Sequence, residues 1–274
     1  MTHRSPDAAL RRRHGTHAVL TACLLMAASL PSMAAPKVED SIAQRVQACT
    51  GCHGPQGRAA PDGYYPRIAG KPAGYLYNQL LNFRDGRREY SLMSNLLAPL
   101  SDAYLHEIAE HFASLDLPYP PHEPTKASVT DLSVGEALVL RGDTARQIPA
   151  CVACHGQALT GVAPGIPGLM GLPRDYVNGQ LGAWKAGNRK AHAPDCMAQV
   201  AKALTPQDIA AVSSWLAAQP MPAVTKPADS LPAALPILCG GLPGGTVIGT
   251  ASGSVGGAPA LPSPSPAAAS GSKP

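Results

Sequence analysis

Two pentapeptides hold the most reactive side chains of this sequence: Cys49-Thr50-Gly51-Cys52-His53 and Cys151-Val152-Ala153-Cys154-His155. C-x-x-C-H is the pattern that attaches a c-type haem. Two thiols one helical turn apart can add to the two vinyl groups on one porphyrin edge. The histidine that follows then offers its imidazole to the iron from the same turn. A thioredoxin-like dithiol has no need of that histidine and uses a strand–helix context that is absent here. A zinc site drawn from both pairs would span 102 residues, far beyond common zinc spacings. Each pentapeptide is followed by glycine, Gly54 and Gly156, and each heads a longer repeat.

The repeat fixes what must position the two motifs. Pro66-Arg67-Ile68-Ala69-Gly70, Tyr75, Gln79-Leu80, Phe83 and Gly86-Arg87-Arg88 recur as Pro167-Gly168-Leu169-Met170-Gly171, Tyr176, Gln180-Leu181, Trp184 and Gly187-Asn188-Arg189, an offset of 101. Leu100-Ser101-Asp102 and Leu204-Thr205-Pro206 follow at an offset of 104. Ser101 and Thr205 read as N-caps of terminal helices. Leu105, Ile108, Phe112 and Leu115 share one face of the first, and Ile209, Val212 and Leu216 one face of the second. Each copy therefore reads as helix, haem turn, loop, helix, ligand loop, helix. The expected fold class is all-α, with two tandem domains.

A haem iron held by histidine needs a second axial ligand if it is to exchange electrons without binding substrate, and a methionine thioether serves in many electron-transfer haems. Met93 follows His53 by 40 residues and Met197 follows His155 by 42, each just before the last helix of its copy. Position therefore selects these two over Met170 and Met221. Rivals remain: a lone methionine is often core filler, His106 and His111 lie on the last helix of copy one, His192 precedes Met197 by five residues, and Cys196 adjoins it. A thiolate from Cys196 would imply a lower potential and different chemistry; alternatively it is a small buried thiol. Arg67, Arg87, Arg88, Arg174 and Arg189 flank these blocks and could pair with haem propionates. Tyr75 and Tyr176 read as core residues with polar tips.

The ends of the chain have other roles. A basic stretch through Arg13, the apolar run 18–30 and Ser32-Met33-Ala34 read as a secretory signal peptide over 1–34. Leu20-Thr21-Ala22-Cys23 resembles a lipobox, but most of the apolar run follows Cys23. The expected location is the periplasm, with no transmembrane segment in the mature chain. Four arginines and one aspartate fall in that segment, so the formal charge of +4 becomes +1 without it, which does not support a nucleic-acid footprint. Hydrophobic residues are 45% and charged residues 15% of the sequence, enough to build packed cores. Expected boundaries are 35–117 for domain one, 118–132 for a proline-rich linker, and 133–220 for domain two. Of the 55 residues from Pro220 onward, 37 are Pro, Gly, Ala or Ser, so 221–274 reads as a disordered tail.

These residues resemble the di-haem class I cytochromes c, in particular the cytochrome c4 type. The resemblance rests on residues 38–219: both C-x-x-C-H motifs, the P-R-I-A-G block, the Q-L-x-x-F-x-x-G-R-R segment and both methionine regions. It implies two cytochrome c domains, each with one covalent haem c, and electron transfer rather than catalysis on a substrate. Cys49, Cys52, Cys151 and Cys154 would hold the porphyrins, His53 and His155 would be proximal ligands, and Met93 and Met197 distal ones. Implied partners are a terminal oxidase, a membrane quinol-oxidising complex or a periplasmic dehydrogenase. Two alternatives are a cytochrome subunit of a dehydrogenase complex, docked by the tail, and a haem enzyme such as a thiosulfate dehydrogenase or di-haem peroxidase.

Overall fold

The computed structural model describes residues 39–60, 63–119 and 125–242. The signal segment expected at 1–34 lies outside the described residues. The first half comprises α1 (Ile42–Arg45), α2 (Gln47–His53), a 3-10 turn (Pro55–Gly57), α3 (Ala73–Arg84), α4 (Ser91–Leu97) and α5 (Asp102–Ser114). The second comprises α6 (Val129–Leu140), α7 (Val152–His155), a two-residue antiparallel pair β1 (Gly161–Val162) and β2 (Ile166–Pro167), α8 (Arg174–Ala186), α9 (Cys196–Ala203) and α10 (Pro206–Ala218). Both halves lie in one compact unit that begins at Ser41.

Each half has its own hydrophobic core. Leu76, Phe83, Leu97, Leu105, Ile108 and Phe112 build the first, where α3 packs on α5. Leu138, Val139, Val177, Leu181, Ile209, Val212 and Leu216 build the second, where α10 packs on α6 and α8. The caps fall where the sequence places them. Ser101 Oγ accepts from the Tyr104 amide, and Thr205 forms a full capping box with Asp208. At the α6–α10 crossing a Cβ on Gly135 would lie 2.4 Å from the Ala211 carbonyl oxygen, so only glycine permits that approach.

Three features differ from the sequence reading. Helix α6 starts at Val129, inside the expected linker, because Ser128 caps it by accepting from the Asp131 amide. Met93 and Met197 sit in short helices rather than loops. The tail expected to be disordered from 221 is instead laid onto the second half through Leu242. Met221 packs against the second core, Ala228 bridges Val162, and a Cys196–Cys239 disulfide closes its end. Composition averaged over the tail hides these point attachments; residues 243–274 lie outside the described residues. Among the described residues no helix is long and apolar enough to cross a membrane.

Candidate haem-binding sites

The proximal histidines occupy the same local frame in both halves. Helix α2 ends with His53 and α7 with His155, and each helix is stopped by a glycine at positive φ, 74° for Gly54 and 83° for Gly156. A Cβ on Gly54 would come within 2.2 Å of the Ala59 carbonyl oxygen, which explains the glycine after the first motif. Both imidazoles are buried. His53 Nδ1 donates to the Pro66 carbonyl at 2.8 Å and His155 Nδ1 to the Pro167 carbonyl at 2.8 Å. A carbonyl can only accept, so the proton is fixed on Nδ1 and Nε2 keeps its lone pair for a metal. Burial holds both imidazoles below the usual histidine range, with Arg88 adding to the effect at His53 and Lys71 at His155. A neutral imidazole is the form that ligates iron.

Cys49, Cys52, Cys151 and Cys154 are free thiols, unlike the disulfide-bonded Cys196 and Cys239. Burial pushes the Cys151 thiol up to about 12 and raises Cys49 and Cys154. Met93 is half-buried at the start of α4, against the first core, and α4 packs on α3. Met197 is half-buried at the start of α9, against the second core, and α9 packs on α8. Ser94 Oγ donates to the Phe83 carbonyl at 2.9 Å, tying α4 to α3. Lys185 Nζ donates to the Leu204 carbonyl at 2.7 Å and the Lys202 carbonyl at 3.1 Å, fastening the end of α9 to α8. Of the rivals, His106 and His192 are exposed, His111 stands edge-on to Phe112, and Met170 and Met221 belong to the second core.

The halves meet in a reciprocal clasp of matched residues. Arg88 donates to Gln79 Oε1 of its own half at 3.0 Å, and across to Gln180 Oε1 at 2.6 Å and Tyr176 Oη at 3.2 Å. Arg189 donates to Gln180 Oε1 of its own half at 2.7 Å, and across to Gln79 Oε1 at 3.0 Å and Tyr75 Oη at 3.4 Å. Backbone bonds complete it: Glu89 N to the Asn188 carbonyl at 2.8 Å and Lys190 N to the Arg87 carbonyl at 2.7 Å. Each guanidinium also stacks on the repeat's aromatic residue, Arg88 on Phe83 at 4.3 Å and Arg189 on Trp184 at 3.7 Å. The two tyrosines expected in the cores reach the interface with their polar tips, Tyr75 while packing against the first core. Their hydroxyls are what the neighbouring half uses.

Comparison with known proteins agrees with this arrangement. The Cytochrome c family model matches residues 141–219. A thiosulfate dehydrogenase electron acceptor from Thiomonas intermedia (strain K12) is 39% identical over 189 residues, covering 69% of this chain and 86% of the relative. Cytochrome c4 from Pseudomonas aeruginosa is 35% identical over 170 residues, covering 61% of this chain and 82% of the relative. The crystal structure of reduced recombinant cytochrome c4 from Pseudomonas stutzeri superposes with a TM-score of 0.55 at 31% identity, covering 64% of this chain and 94% of that one.

The chain belongs to the cytochrome c4 family. Its members are di-haem cytochromes c, so the chain carries two covalently bound haem c groups and transfers electrons.

The residues present fit such a group on independent grounds. Trp184 Nε1 is buried with no hydrogen-bond partner. Arg189 and Lys71 are buried cations, and neither they nor Arg88 pair with a carboxylate among the described residues. Buried charge without an opposite charge is costly. Haem c brings two carboxylates, which suit an orphaned indole N–H and unpaired guanidinium groups.

Several sequence expectations for these residues are corrected. Arg67 is engaged by backbone: it donates to the carbonyls of Ala69, Leu117 and Pro118 and stacks on Tyr119 at 3.9 Å, pinning the start of the linker. Arg87 is engaged by Asn82 and Asp85, and Arg174 by Ser214 and Asp175. Cys196 is neither a thiolate nor a free thiol, since its sulfur is shared with Cys239. Lys71, whose Nζ donates across the halves to the Gly168 carbonyl at 3.1 Å, escaped the sequence reading. Burial, with Arg67 adding to it, brings Lys71 down to about 8. The disulfide had a usable signal: two cysteines remain once the motifs and the signal segment have taken theirs, in a chain expected to fold outside the cytoplasm.

Proposed function

We propose that the protein is a periplasmic carrier with one His/Met-ligated haem in each half, His53 with Met93 and His155 with Met197. We further propose that it accepts electrons from a thiosulfate dehydrogenase and passes them towards a terminal oxidase. The haem iron supplies reversible one-electron chemistry between its ferric and ferrous states. The protein's own residues do the rest. The Pro66 and Pro167 carbonyls orient the imidazoles, the four motif thiols hold the porphyrins covalently, and the packing of α4 on α3 and α9 on α8 presents the thioethers. The observation that supports this reading is a recurrence: each half has one buried, Nδ1-anchored histidine and one half-buried methionine in a short helix before its last helix. The partner rests on the 39% identity to a protein named as an electron acceptor of that enzyme.

The test is the ferric absorption spectrum, with the far-red Met–iron charge-transfer band quantified per haem. Two equivalents are expected, with one lost in Met93→Ala and one in Met197→Ala. Retention of both bands in Met197→Ala refutes the second ligand set. For the partner, reduction of the ferric protein by thiosulfate with a thiosulfate dehydrogenase is expected. Turnover of thiosulfate by the protein alone would support the haem-enzyme reading instead.

A further inference from the structure

The second ligand helix is held by a device the first lacks. Cys196 opens α9, immediately before Met197, and is bonded to Cys239 of the C-terminal segment. Asp195 caps the helix by accepting from the Ala198 amide at 3.0 Å and holds the preceding turn by accepting from the Ala191 amide at 2.7 Å. Gly240 N donates to the Pro194 carbonyl at 2.9 Å. A Cβ on Gly240 would lie 2.0 Å from the Ala193 carbonyl oxygen, so this backbone is pressed directly against the ligand turn. The segment is itself fixed at two further places. Ala228 N donates to the Gly161 carbonyl at 2.9 Å and Ala163 N to the Ala228 carbonyl at 2.8 Å, while Asn78 Nδ2 of the first half donates to the Gly241 carbonyl at 2.6 Å.

The first half provides the contrast. The 104-residue offset that matches Met197 to Met93 matches Cys196 to Leu92 and Val200 to Leu96. Leu92 and Leu96 are 61% and 43% exposed, whereas Cys196 and Val200 are half-buried. Helix α4 is held instead by local contacts, among them Tyr90 Oη donating to Tyr65 Oη at 3.4 Å. Helices of seven or eight residues do not persist on their own in water and depend on such tertiary ties.

We infer that residues 221–242 and the Cys196–Cys239 disulfide form a strap that positions the distal-ligand helix of the second half, so that Met197 is the harder of the two thioethers to displace. Taking Met197 off its metal requires the start of α9 to move, and the strap ties that start to points on both halves. This rests on the proposed His155/Met197 ligation, and the test separates the two.

Imidazole is titrated into ferric holoprotein and loss of the far-red band is followed. A Met93→Ala background isolates the second half's band, and a Met197→Ala background the first's. Adding Cys196→Ser/Cys239→Ser is expected to lower the imidazole midpoint of the second half about tenfold, the part of the disulfide's stabilisation that bears on the start of α9, and to leave the first half unchanged. Asn78→Ala, which keeps the disulfide and loosens one anchor, is expected to lower it about threefold, as for one hydrogen bond. An unchanged second-half midpoint, an equal fall in both halves, or alkylation of Cys196 and Cys239 in the untreated unfolded protein overturns the strap. Met93→Ala protein with two haems and no far-red band refutes the Met197 ligation, and the strap's role falls with it.

Discussion

The clasp between the halves should give an unusual mutational signature. In Arg189→Met the acceptors are not orphaned, because Gln180 Oε1 and Gln79 Oε1 both keep a bond from Arg88. The loss is three bonds, to Gln180, Gln79 and Tyr75, at about 1 kcal/mol each, and removing one of two facing guanidinium groups returns about 1 kcal/mol, leaving about 2 kcal/mol. Arg88→Met is symmetric, with Arg189 keeping both glutamines, so it also costs about 2 kcal/mol. The double variant strips both glutamines at once, and each orphaned, half-buried acceptor adds about 1 kcal/mol. Its cost should therefore exceed the sum of the singles by about 2 kcal/mol, a coupling energy that a double-mutant cycle reads directly. The sequence provides the probe. Both tryptophans, Trp184 and Trp215, lie in the second half, so their fluorescence follows that half alone while Soret absorbance follows both haems. Guanidinium unfolding of the parent protein should give coincident curves by the two probes, and the double variant should separate them. Additivity within about 0.5 kcal/mol, with coincident probes in the double variant, would refute the reasoning.

Other outcomes follow from single features. Cys151→Ala/Cys154→Ala should yield protein with one covalent haem per chain, counted by the haemochrome assay against protein mass. Asp208→Asn should cost about 1 kcal/mol by thermal unfolding at pH 7, since it removes the charge from the Arg146 pair and weakens the capping box. Burial would raise the Asp208 carboxyl, but Arg146 and Thr205 together bring it below the usual range. Its contribution is therefore complete above the unfolded pKa near 4 and lost as pH falls through the lower folded value, so parent and Asp208→Asn should converge in stability towards about pH 2. Ser101→Ala should destabilise the first half by about 1 kcal/mol through its lost cap. Cys196→Ser/Cys239→Ser should lower the unfolding free energy by up to about 4 kcal/mol, the closure entropy of a 43-residue separation. Guanidinium denaturation followed by tryptophan emission measures it.

What could be read from the sequence was what covalent chemistry and local capping dictate. The pentapeptides, Gly54 and Gly156, and the caps at Ser101 and Thr205 act through residues a few positions apart, so spacing alone reveals them. The short helices around Met93 and Met197 read as loops in the sequence. Seven or eight residues give too few turns for an apolar period, although Asp195 before Cys196 is a cap signal. Arg67 shows the limit of inference from residue type. Among five arginines of similar setting, only tertiary packing decides which meets a backbone carbonyl, a carboxylate or the other half. The strap is hidden because its attachments at Ala228, Cys239 and Gly241 join positions far apart in sequence, each confined to one residue within a stretch of low-complexity composition.

The clasp has a further consequence. A contact in which Gln79 meets Arg189 while Gln180 meets Arg88 is isologous, the symmetry of a homodimer rather than of two unlike partners. Joining the copies in one chain replaces a bimolecular association with an intramolecular one, at an effective concentration on the order of millimolar. An interface with a dissociation constant near that value, about −4 kcal/mol, is then enough to keep the halves together. A few polar residues around the pseudo-two-fold axis can supply that. Residues on the axis must satisfy both copies and are held alike, whereas residues away from it answer to one copy only. There the halves differ: one secures its ligand helix with a pair of tyrosines, the other with a disulfide to the C-terminal segment.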